Sequence, residues 1–293
     1  MDRRERDALY IDAMTATTQP TVDAGSVVLA APTARFRLSW SNVLLPTLSV
    51  AAALALWELI SRTNTISQRD LPAMSTSFRA LWSLLQTGSF WWAFLDTVRG
   101  WALGLGIATV LAVPLGIVLG SSEFAARAFR VPIEFLRPIP SAVLIPLLFL
   151  TLGTNLKSEV FLAVFGAFWP LLVQTMYGVR DVDPLALDTG RSFGLGRVER
   201  LTRITLPSSV PYIATGIRIS STVALILAFT AELFMGTPGL GQKVNIAQAY
   251  GLSDQLFALA IAVGFLGLAV HLIVSALERR ALRWHPSQRE GVA

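Results

Sequence analysis

The sequence predicts an all-α membrane protein with six spanning helices, and three observations carry that reading. Of 293 residues, 53% are hydrophobic and only 15% charged, against about 25% charged in an ordinary soluble domain; the mean hydropathy is +0.58. The apolar residues fall in blocks near the ~20 residues needed to cross a 30 Å hydrocarbon layer. The blocks are continuous and do not alternate in the ten-residue strands of a transmembrane barrel. Helices then remain as the open-chain way to satisfy backbone polar groups in lipid.

The six blocks are Trp40–Ile60, Thr97–Gly120, Ile139–Leu152, Val160–Tyr177, Tyr212–Phe234 and Leu256–Leu277. The third is short by itself and extends back toward Pro132. Ahead of the first, charges at Asp2, Arg3, Arg4, Glu5, Arg6 and Asp7 lead into Thr-rich sequence, with no apolar core directly behind them. That is not the layout of a cleaved signal peptide, so residues 1–37 read as a mobile cytoplasmic tail. Residues 38–280 form the transmembrane domain and 281–293 a second cytoplasmic tail.

Orientation follows from the basic residues. With the N-terminus inside, inner segments hold 14 arginines: Arg35, Arg37, Arg127, Arg130, Arg137, Arg180, Arg191, Arg197, Arg200, Arg203, Arg279, Arg280, Arg283 and Arg289. Outer segments hold 5 basic residues: Arg62, Arg69, Arg79, Lys157 and Lys243. The excess puts both termini in the cytoplasm. It also accounts for the net charge of +5 without invoking nucleic acid. There is no Cys, and His271 and His285 are the only histidines, which excludes thiolate chemistry and a His-rich metal centre.

Local features refine the spans. The first outer loop, 61–96, carries Leu71-Pro72 and then Phe78, Leu81, Trp82, Leu84 and Leu85, the spacing of an amphipathic helix. Trp91 and Trp92 read as interfacial anchors, and Glu58 as an interfacial acid. Gly100, Gly104, Gly116 and Gly120 form i, i+4 pairs that let helix backbones approach closely. Pro114, Pro138, Pro140, Pro146 and Pro170 each withhold a donor and favour a bend, which suits a transporter better than a static bundle.

One cytoplasmic segment, 178–211, is long and densely charged. Asp183 ahead of Pro184 is a helix start, a capping side chain followed by Pro at the first helical position. Leu185, Leu187 and Phe193 make a short apolar stripe, and Gly194 and Gly196 suit a helix stop. The segment therefore predicts a short helix, a turn, and a second helical piece ending before Pro207. A structured amphipathic loop of this kind is a docking site for a cytoplasmic partner.

Here the sequence resembles a family. Permease subunits of ABC importers carry Glu-Ala-Ala, three residues, Gly, nine residues, Ile, one residue, Leu-Pro. This chain has Asp188-Thr189-Gly190, Gly194, Ile204 and Leu206-Pro207 at that spacing. It departs in the triplet, where Asp keeps the charge on a shorter arm and Gly190 lowers helix propensity by about 1 kcal/mol relative to Ala. Pro114-Leu115-Gly116 with Leu119-Gly120, Leu136-Arg137-Pro138-Ile139-Pro140, and Ala231-Glu232 followed by Pro238-Gly239-Leu240-Gly241 resemble the nitrate/sulfonate/taurine/bicarbonate branch. The likeness covers residues 40–280.

The resemblance implies the type I ABC importer permease fold with a cytoplasmic coupling helix, in a bacterial inner membrane. It implies a pathway for a small oxyanion or organic acid such as nitrate, a sulfonate such as taurine, or bicarbonate. Asp188, Thr189, Gly190, Arg191 and Gly194 would contact an ABC ATPase subunit, and Leu206 and Pro207 would set the re-entry into the fifth span. The chain has no Gly-x-x-x-x-Gly-Lys-Ser/Thr loop, so ATP and Mg belong to that separate ATPase, expected in two copies. A second permease chain, most simply a homodimer partner, and an extracytoplasmic solute-binding protein complete the assembly. The chain itself is not an enzyme.

Three residues are pathway candidates. Glu232, near the outer end of the fifth span, reads equally as a snorkelling or paired acid and as a gate. Arg137 reads as a positive-inside residue or an anion contact. Gln174, like His271, lines a cavity or bonds neighbouring helices. The competing class is an ion-coupled secondary transporter working without an ATPase. It calls for mid-membrane acids and an inverted repeat, and the two halves of this chain do not resemble each other.

Overall fold

Three helices lined with small residues form the centre of the protein. The computed structural model describes residues 40–63, 67 and 69–283; the N-terminal tail of residues 1–37 and the C-terminal tail from residue 284 lie outside the described residues. In chain order the helices are α1 (Trp40–Arg62), α2 (Met74–Leu85), α3 (Gly88–Ser121), α4 (Glu123–Leu136), α5 (Ile145–Leu152), α6 (Leu156–Arg180), α7 (Pro184–Ser192), α8 (Arg197–Arg200), α9 (Leu206–Met235), α10 (Leu240–Ala249) and α11 (Ser253–Ala281). A 3-10 turn, Ser141–Leu144, leads into α5, and a π turn, Leu201–Thr205, joins α8 to α9.

Every fourth residue along one face of α3 is small: Gly100, Gly104, Ala108, Ala112, Gly116 and Gly120. That face meets α6, which runs parallel to it. Gly100, Gly104, Gly116 and Gly120 face Glu159, Ala163, Thr175 and Val179, a constant offset of 59 positions. A Cβ at Gly104 would lie 2.5 Å from the Ala163 Cβ, and one at Gly116 would lie 2.7 Å from the Thr175 Cβ. Without a hydrophobic force between helices in lipid, such close backbone approach is what holds them together. On the other side α9 crosses α6 antiparallel. Gly178 packs on Tyr212 and Gly216 on Leu171, and the Ser220 hydroxyl donates to the Ala167 carbonyl at 2.7 Å.

The outer helices attach to this core. A cluster of Leu81, Phe90, Leu225, Leu259 and Leu266 binds α2 and α11 to α3 and α9. The α2 helix has the amphipathic form expected of it, burying Met74, Ser77 and Leu81 and leaving Trp82 exposed. Polar bonds hold α1 at one end: Trp57 Nε1 donates to the Pro72 carbonyl at 3.1 Å, and Glu58 accepts the Ser75 amide at 3.1 Å.

Among the described residues five helical segments are long and apolar enough to cross a membrane, and α4 with the segment Ser141–Leu152 makes a sixth if the bent pair is one span. The third block is therefore not the single rod its composition suggested. It bends by 75° between Leu136 and Ser141. Pro138 and Pro140 both lack an amide donor, and Pro140 is extended at ψ 118°, so the helix cannot run through. The second block is longer than expected, since α3 starts at Gly88 and includes Trp91 and Trp92.

Candidate functional site

The segment between α6 and α9 is built from paired local signals. Asp183 Oδ1 accepts the Leu185 amide at 2.8 Å, Pro184 occupies the first turn, and α7 follows for nine residues. At its other end the Leu195 amide donates to the Gly190 carbonyl at 3.0 Å and the Gly194 amide to the Arg191 carbonyl at 2.9 Å. These two bonds are a Schellman cap, and Gly194 supplies the left-handed residue it needs at φ +75°. The Glu199 carboxylate then accepts the Gly196 amide at 3.1 Å and starts α8.

Gly190 is the buried residue of α7. A Cβ there would lie 2.7 Å from Ile204 Cδ1, so the glycine standing in place of alanine seats α7 against the π turn. Asp188 and Arg191 are exposed and paired at 2.7 Å. The Thr189 hydroxyl turns back to the Leu185 carbonyl at 2.7 Å. The apolar stripe divides: Leu187 is half-buried, while Leu185 and Phe193 are 72% and 81% exposed, joined by Val198 at 73%. Three large apolar side chains thus project from an otherwise charged surface. Leu187, Arg191, Arg197 and Arg200 also border an open cavity of about 610 Å³ that Gly120 and Val179 line at the ends of α3 and α6.

The second helical piece does not end before Pro207. It passes through the π turn and continues through Leu206 and Pro207 as α9. Pro207 has no amide to give the Arg203 carbonyl, and its ring crowds that group; the widened turn just ahead absorbs the mismatch.

The pathway candidates are not brought together, and Arg137, Gln174 and Glu232 share no hydrogen bond or ion pair. Arg137 is exposed at the bend after α4. Gln174 is half-buried against Gly216. Glu232 is 0% exposed, so it does not snorkel: its Oε2 accepts the Thr97 hydroxyl at 2.9 Å and the Gly241 amide at 2.7 Å. His271 is exposed and borders an apolar groove with Thr222 and Thr230. Glu58 accepts from both Ser75 and Arg62.

Two features escaped the sequence reading. Arg218 of α9 pairs with Glu278 of α11 at 3.2 Å; a basic residue inside an apolar block was the available signal. Glu159, in the first turn of α6, is buried beside Gly100; nothing in its own neighbourhood marks it. Among the described residues no group of three or more His, Asp or Glu side chains is arranged to hold a metal ion.

Residues 112–283 match the family model for the binding-protein-dependent transport system inner membrane component. The chain is 27% identical to the taurine transport system permease protein TauC of Escherichia coli (strain K12), over 85% of this chain and 94% of that protein. It is 23% identical to the nitrate import permease protein NrtB of Leptolyngbya laminosa, over 78% of this chain and 84% of that protein. Its backbone is similar to a chain of the MetNI methionine ABC transporter in an inward-facing conformation, with a TM-score of 0.53 over 73% of this chain and 99% of that one. At 16% identity that likeness shows the fold alone.

Proposed function

The chain belongs to the family of binding-protein-dependent transport system inner membrane components, and from that premise we propose that α7 is the element through which a separate ATPase drives it. The protein is a multi-pass permease subunit of an ATP-driven importer. The observation that carries the proposal is the doubly capped α7, with Leu185 and Phe193 uncovered beside the Asp188–Arg191 pair.

ATP and Mg act on the partner ATPase. Two ATPase subunits close on nucleotide, and their motion reaches this chain through Asp188, Thr189, Gly190, Arg191 and Gly194. Because α7 seats on Ile204 through Gly190, a push on α7 is passed to the π turn and into α9 at Leu206-Pro207. The bundle then switches between two states as rigid bodies. Two permease chains, most simply identical, enclose the pathway, and an extracytoplasmic binding protein delivers the solute. Both termini are cytoplasmic, a reading supported by the arginine excess of the inner segments. The solute is a small oxyanion or organic acid, a reading supported by relatives named for taurine and nitrate.

The test is co-purification of this chain with its ATPase subunit, comparing wild type with Phe193→Asp and Gly194→Val. Loss of the ATPase from both variants, with the permease still folded and membrane-inserted, is expected. Unchanged capture and unchanged uptake in both would end the proposal. A thermal-shift screen of the cognate binding protein against nitrate, sulfonates and bicarbonate tests the solute separately.

A further inference from the structure

Glu159 and Glu232 are 1% and 0% exposed, and both meet one stretch of α3. A Cβ on Gly100 would lie 1.5 Å from Glu159 Oε1. Thr97, three residues or about 4.5 Å of helix rise away, donates its hydroxyl to Glu232 Oε2. The same Thr97 oxygen accepts the Leu240 amide at 3.0 Å, and Glu232 Oε2 accepts the Gly241 amide. The free amides that open α10 are therefore capped by side chains of α3 and α9, and not by the residues before it. The turn wraps the carboxyl group closely, since a Cβ at Gly239 would sit 2.1 Å from the Glu232 carboxyl carbon.

Hydrogen-bond accounting leaves two carboxylate oxygens of this site without a donor. Glu159 Oε1 and Glu232 Oε1 are both buried and have no partner, and an ionised carboxylate only accepts. Among the described residues no cation side chain supplies the lack. The other charge acting on both acids from α3 is Asp96, also an acid. Arg99 is exposed, and Lys243 of α10 is turned to Ser89 Oγ at 3.3 Å. Two buried carboxylates that meet the same turn of α3, with no counterion, are strongly unfavourable.

We propose that Glu159 and Glu232 form a proton-binding pair that holds one proton between them. The Glu159 carboxyl group, whose buried Oε1 has no donor facing it, carries the proton. This leaves a single negative charge. That charge rests on Glu232, where the Thr97 hydroxyl, the Gly241 amide and the N-terminus of the ten-residue α10 all favour it. The protonated pair pins the turn from Gly236 to Gly241, and with it the start of α10, onto α3 and α9. When the proton leaves, two anions face each other and the turn is released.

Infrared spectroscopy of the purified full-length permease tests this. At neutral pH the wild type shows the carbonyl stretch of a protonated carboxyl group. The band moves when glutamate carries ¹³C, is lost in Glu159→Gln, and persists in Asp96→Asn. At alkaline pH it disappears and the Leu240 and Gly241 amides lose their protection from hydrogen exchange, whereas Glu159→Gln retains that protection. The absence of such a band at neutral pH overturns the proposal, as does a band unmoved by labelled glutamate; both readouts on unmodified protein stand even where a variant does not fold. A band that vanishes on adding sodium or potassium at constant pH assigns the site to a metal cation and equally overturns it.

Discussion

Replacing Gly104 with Ala tests whether the α3–α6 seam is set by contact between single atoms. The new Cβ would lie 2.5 Å from the Ala163 Cβ, whereas two carbons are at ease at about 3.5–4.0 Å. The helices must part by about 1 Å at this level, and overpacking of that kind costs about 1–3 kcal/mol. Higher helix propensity returns at most about 1 kcal/mol, so Gly104→Ala is expected to be net destabilising. The structure also names the rescue. With Ala163→Gly the clashing atom is gone, and the next nearest atoms lie at 3.6 Å, ordinary contact. The double variant should therefore recover most of the loss, with a coupling energy of about 1–3 kcal/mol in a double-mutant cycle. Gly106 is the control, because a Cβ there meets nothing within 4 Å and Gly106→Ala should be neutral or mildly stabilising. The assay is unfolding in detergent followed by tryptophan fluorescence. Additive effects of the Gly104 and Ala163 changes, or equal effects at Gly104 and Gly106, would refute the packing argument.

Gly194 sits at φ +75°, so Gly194→Val should cost about 1–2 kcal/mol and fray α7, while Gly194→Asn keeps the cap; amide exchange across α7 distinguishes them. Asp183→Ala removes the cap on the Leu185 amide and should cost about 0.5–2 kcal/mol of local stability, read as faster exchange in the first turn of α7. Asp188→Ala breaks an exposed pair with Arg191 and should change thermal stability by less than about 1 kcal/mol; a larger fall in captured ATPase subunit would place Asp188 in the docking surface itself.

The spans and the α7 segment were legible for the same reason: the forces that shape them are local or additive. Transfer into lipid depends on the composition of a ~20-residue window, so the blocks appeared directly in the sequence. The caps of α7 lie within a few residues of the backbone they serve, so Asp183-Pro184 and Gly194 could be read where they stood. The glycines at 100, 104, 116 and 120 also announced a close helix contact. Their partner did not, because the offset of 59 positions to α6 arises only when two distant helices align.

Where the reading fell short, the deciding group lay elsewhere in the chain or between elements. Pro138 and Pro140 were visible as breaks, yet the 75° bend depends on how α4 and α5 each find packing. Glu232 looked like an acid near a membrane surface until the turn at Gly239 and Gly241 folded back over it and Thr97 met it from α3. Glu159 became notable only beside Gly100. The amino-acid order by itself located the apolar blocks and the caps at which α7 begins and ends, since hydropathy and capping act over short stretches. Tertiary structure alone decided which small residue faces which, and which acids lose contact with water, because burial is a property of neighbours that the linear sequence keeps far apart.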